Sequence, residues 1–66
     1  WQVEEALRML TEEHRVALVE VHYRGRGYAD VAEQLGVPVG TVKSRVYYAL
    51  KGVRLALEEL GWTDAF

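Results

Sequence analysis

The sequence predicts an all-α fold, a compact four-helix domain that ends in a helix-turn-helix. Three observations carry this. Val42, Val46, Ala49, Val53 and Leu57 recur at steps of three and four, the period of a helix with one buried face. Leu35-Gly36-Val37-Pro38 punctuates the chain just before that run, with a residue tolerant of positive φ followed by one that cannot continue a helix. Half of the 66 residues are hydrophobic, enough for the core of a small bundle.

The elements follow in order. Val3, Ala6, Leu7 and Leu10 repeat at steps of three and four and predict a first helix over residues 3–10. Thr11 then caps a second helix, with Glu12 and Glu13 in its first turn, where the helix dipole favours negative charge. A full capping box needs Glu or Gln at position 14, which is His14, so that signal is partial. This helix is expected to reach residue 23 and to bury Ala17, Leu18 and Val21. Gly25 and Gly27, interleaved with Arg24 and Arg26, end it in a loop.

A short third helix spans residues 28–35 on Val31, Ala32 and Leu35, and Gly36 stops it. Pro38 fits the first turn of the long fourth helix, residues 39–60. Its apolar stripe is Val42, Val46, Ala49, Val53, Ala56, Leu57 and Leu60. Gly52 lies inside it, which costs about 1 kcal/mol relative to Ala and points to a weak midpoint or close packing. Gly61 ends the helix, and Trp62 to Phe66 form a tail expected to be disordered.

Residues 1–66 read as one small domain, with the helix-turn-helix at 27–60. The chain opens on Trp1 within a helical pattern, as expected of a piece of a longer protein. There is no cysteine, hence no disulfide or thiolate metal site, which is compatible with a reducing cytoplasm. No apolar run approaches the roughly 18 residues of a membrane span.

The net charge is −2, against the usual basic balance of a nucleic-acid binder, but the charges are segregated. Glu4, Glu5, Glu12 and Glu13 lie early and Glu58, Glu59 and Asp64 late. Between Val37 and Arg54 there are four basic residues (Lys43, Arg45, Lys51, Arg54) and no acidic one. At about 100° per residue, the outer face of the fourth helix carries Gly40, Ser44, Tyr47, Tyr48 and Lys51, flanked by Thr41 and Lys43.

These side chains suit DNA. Lysine reaches guanine acceptors, hydroxyls bond base edges or phosphates, and tyrosine meets a thymine methyl or a phosphate. Gly40 lets the helix start approach the backbone, and that terminus attracts phosphate. Leu55 lies on the outward side and, with Trp62 and Phe66, forms a candidate surface for a protein partner.

Enzymatic readings lack their residues. His14 and His22 are eight apart, too far to share a metal, and read as surface histidines. The paired glutamates are sequence neighbours and do not face each other on a helix. Ser44 has no neighbouring histidine, and there is no phosphate-cradling glycine loop. The expectation is a non-enzyme with no cofactor and no metal. A helix-turn-helix DNA reader, such as a transcription regulator or the DNA-binding part of a recombinase, and a helical protein-interaction module both fit the pattern.

Residues 10–54 resemble region four of bacterial RNA polymerase sigma factors, specifically the extracytoplasmic-function group. The matching pieces are Leu10…Arg15, Gly25 with Tyr28-Ala29-Asp30-Val31-Ala32, Leu35-Gly36-Val37-Pro38, and Gly40-Thr41-Val42-Lys43-Ser44-Arg45. The first pieces occur in many helix-turn-helix proteins, whereas Pro38-x-Gly40-Thr41-Val42-Lys43-Ser44-Arg45 is far more specific.

The resemblance implies four helices, with the last one reading the minus-35 promoter element. It puts Lys43, Ser44, Tyr47 and Tyr48 on the DNA face, with Tyr28, Pro38 and Thr41 near the backbone; Arg45 and Lys51 complete the candidate set. It also implies the RNA polymerase core, held through its beta-subunit flap, an anti-sigma protein as partners, and a bacterial cytoplasmic location. The chain differs from the family pattern where the latter has Arg at Tyr48, Leu50 and Val21, Pro at Thr11, a Ser cap at Gly27 and Leu at Arg26. Fewer cations weaken phosphate binding, and Arg24 and Arg26 are candidates to compensate.

Overall fold

The computed structural model describes residues 2–61. Within them lie helices α1 (Gln2–Arg8), α2 (Glu12–Leu18), α3 (Tyr28–Leu35) and α4 (Val39–Glu59), with a π-helical turn, Val19–Tyr23, prolonging α2. The predicted all-α, four-helix architecture is what the chain adopts.

Helix boundaries follow local chemistry. The Thr11 hydroxyl accepts the His14 N–H at 3.4 Å, a long capping bond, and Glu12 and Glu13 occupy the first turn of α2. α3 ends in a left-handed residue, Gly36 at φ 69°. The Val37 N–H donates to the Ala32 carbonyl at 3.1 Å and the Gly36 N–H to that of Glu33 at 3.3 Å. This paired closure satisfies carbonyls the helix end would otherwise leave open, and Val37 packs back on the core. Pro38, extended at ψ 151°, caps α4 from one residue outside it rather than sitting in its first turn.

The turn Val19–Tyr23 departs from the expected α-helical register. The Arg24 N–H donates to the Val19 carbonyl at 2.9 Å, five residues back.

The core joins Ala6, Ala17, Leu18, Val31, Ala32, Val42, Val46, Ala49, Val53, Ala56 and Leu57. The predicted stripe of α4 is buried from Val42 to Leu57, while Leu60, one residue past the end of the helix, is exposed. Gly52 meets the expectation of close packing, since a Cβ on it would lie 2.6 Å from Leu10 Cδ2. α4 runs about 30 Å, and the molecule measures 36 × 18 × 17 Å around it.

Candidate nucleic-acid interface

The first turn of α4 is bare. The Pro38 carbonyl takes the Thr41 and Val42 N–H groups at 3.0 and 3.3 Å. The earlier N–H groups of the helix have no intrahelical acceptor, no side chain caps them, and the first turn holds no acid. Among the described residues nothing lies within 4 Å of a Cβ placed on Gly40, so this end is sterically open. Its partial positive charge faces outward.

Lys43, Ser44, Tyr47, Tyr48 and Lys51 are all exposed on the turns that follow. Neighbouring elements add to them. Tyr28, the first residue of α3, lies under Lys43, whose Nζ is 5.7 Å from its ring centroid, a cation–π distance. Tyr47 and Tyr48 meet edge to face with centroids 5.1 Å apart. Tyr48 also stacks on His14 of α2 at 6.3 Å and 24°. His14 is thus half-buried, not the freely exposed histidine expected. Its role at this face has no sequence signal, since it comes from a distant helix.

The structure separates the cations. Arg45 was expected among the DNA-facing residues, but its side chain is 22% exposed and Nη2 lies 3.1 Å from Glu13 Oε2. On the helix it sits one residue before buried Val46, beside the seam with α2, and its length carries it across that seam. Arg54 pairs with Glu58 at 3.7 Å. Lys43 and Lys51 have no carboxylate within 4.0 Å among the described residues. Arg24 and Arg26 do not stand free to compensate, since both bind Glu20. Thr41 is half-buried, while Pro38 and Gly40 are exposed.

Leu55 is exposed and shares a shallow groove with Met9, Gly52, Ala56 and Glu59; Trp62 and Phe66 lie outside the described residues. A second apolar groove, made by Val3, Glu4, Leu7, Val19 and Tyr23, uses elements other than α4. Among the described residues no group of three His, Cys, Asp or Glu is arranged to hold a metal, and no helix is long and apolar enough to cross a membrane.

Residues 1–51 match the family described as "Sigma-70, region 4". The chain belongs to this family. It is 46% identical over 61 residues to the ECF RNA polymerase sigma factor SigL of Mycobacterium tuberculosis, covering 92% of this chain and 34% of that protein. It is 36% identical over 58 residues to the RNA polymerase sigma-H factor of Pseudomonas aeruginosa, covering 88% and 30%. SigM of Mycobacterium tuberculosis, another ECF sigma factor, is 51% identical over 43 residues, or 65% and 22%. The resemblance to the extracytoplasmic-function group holds, and the chain spans about a third of the length of these curated relatives. In region 4 terms, α3 and α4 are the helix-turn-helix and α4 is its second helix.

Proposed function

We propose that this region 4 domain reads the minus-35 element of a promoter on behalf of a sigma factor, and so directs RNA polymerase in transcription initiation. The observation that carries the reading is the exposed face where the bare start of α4 meets Lys43, Ser44, Tyr47 and Tyr48, with no carboxylate among the described residues opposing Lys43. The first turns of α4 enter the major groove, as the second helix of this motif does. The open N–H groups of its first turn take a phosphate, and Lys43, steered by the Tyr28 ring, lies between backbone and base edges. Ser44 and Tyr47 read bases, and Tyr48 with His14 forms an aromatic ledge along the same edge. Arg45 contributes by fixing α4 against α2 through Glu13.

The role is one of recognition without catalysis, in the bacterial cytoplasm. The polymerase core, through its beta flap, and an anti-sigma protein are the proposed protein partners, and the apolar groove of Val3, Leu7, Val19 and Tyr23 is a surface suited to such contacts. Affinity for DNA in isolation is low, which suits a module used while tethered to polymerase. The test is transcription from a randomised promoter library by the protein with polymerase core. A shared upstream element is expected among the active promoters. Lys43→Glu should cut transcription from them at least tenfold with an unchanged circular dichroism spectrum. Wild-type output from Lys43→Glu would refute the reading.

A further inference from the structure

Glu20 is the one charged residue buried among the described residues, at 8% exposure. A buried carboxylate must be paired. Here the Arg26 Nη1 donates to its Oε1 at 3.1 Å and the Arg24 Nη1 to its Oε2 at 3.3 Å. The Arg26 backbone N–H also donates to the Glu20 carbonyl at 3.1 Å. Gly25, at φ 68°, makes the reversal that lets two arginines, one on either side of it, converge on one carboxylate. The closed loop then runs through Gly27 straight into Tyr28, whose ring lies under Lys43.

We propose that Glu20 is a positioning residue for the DNA interface. By clamping Arg24 and Arg26 it fixes the loop that delivers Tyr28 to Lys43. It also withholds two arginines from indiscriminate attraction to phosphate. Their side chains are 66% and 34% exposed, near enough to solvent to reach a duplex once released. The inference rests on the promoter-reading assignment above.

The experiment compares wild type, Glu20→Gln and Arg24→Gln, each assembled with polymerase core. The probes are a duplex selected by the wild type and a scrambled duplex of the same composition, titrated from 50 to 200 mM salt. Glu20→Gln should bind the scrambled duplex more tightly at low salt. Its log–log salt slope should steepen by about one to two, each freed contact adding roughly a threefold loss of binding over that range. Its preference for the selected duplex should fall at least threefold. Arg24→Gln should keep the wild-type slope, because Arg24 is already withheld.

Unchanged slope and unchanged preference in a folded Glu20→Gln protein overturn the inference alone. So does a shallower slope in Arg24→Gln, which means Arg24 already meets phosphate; this arm decides if Glu20→Gln does not fold by circular dichroism. A wild type that selects no duplex overturns the promoter-reading assignment, and the inference with it.

Discussion

At Tyr48 the resemblance to the family implies an arginine, and the structure places aromatic neighbours there instead: His14 stacked at 6.3 Å and Tyr47 edge-on at 5.1 Å. Against that implied pattern, an aromatic cluster gives up the long-range attraction of a cation for ring contacts. Tyr48→Arg should restore the attraction. Its salt slope for duplex DNA should steepen by about one, and the lost ring contacts should cost about 1 kcal/mol of stability. Titration at two salt concentrations with a urea melt checks both. Several such residues were legible from sequence, because exposure of Lys43, Ser44, Tyr47 and Lys51 follows from their angle on a single helix. The partners of Arg45 and Tyr48 were not. Glu13 and His14 lie more than 30 residues away on α2, and a wheel drawn for one helix cannot contain a second. Glu20 escaped for a related reason, since its burial depends on a loop that folds back after the helix has ended.

Among the elements, the turn between α3 and α4 depends most on a single conformation. Gly36 is left-handed, and nothing among the described residues lies within 4 Å of a Cβ placed there, so substitution is penalised by backbone strain. Gly36→Ala should therefore lose about 1–2 kcal/mol in chemical denaturation while preserving the fold. The sequence announced this turn plainly, because Gly and Pro act locally and their spacing matches the punctuation of two helices. It also announced α3 to the residue and α1 and α4 to within two at each end, whereas the helix expected to reach residue 23 keeps its α-helical register only to Leu18. The π-helical turn carries no comparable signal. Val19–Tyr23 reads from sequence as a continuation of the helix before it, and its altered register shows only in the bonds that close it, from the Arg24 N–H to the Val19 carbonyl and from the Arg26 N–H to the Glu20 carbonyl.

For the whole molecule, size governs. A chain of 66 residues holds a stability on the order of 3–10 kcal/mol, so one core residue is a large share of the total. Leu57 is among the largest fully buried side chains. Leu57→Ala should remove about 2–5 kcal/mol and lower the melting temperature by roughly 10 °C or more, read by a thermal melt of the domain. Lys43→Glu should leave that melt in place, which separates the two faces of α4 experimentally. That one helix serves both faces has a mechanical consequence. The turns proposed to sit in the groove and the turns gripped by α1 belong to one stiff rod of about 30 Å. Tilting one end by about 5° swings the other by roughly 2.5 Å, half a helical turn. Twist or bend in the duplex would thus reach the hydrophobic core as torque, and the domain would feel the angle of the groove as well as the letters in it.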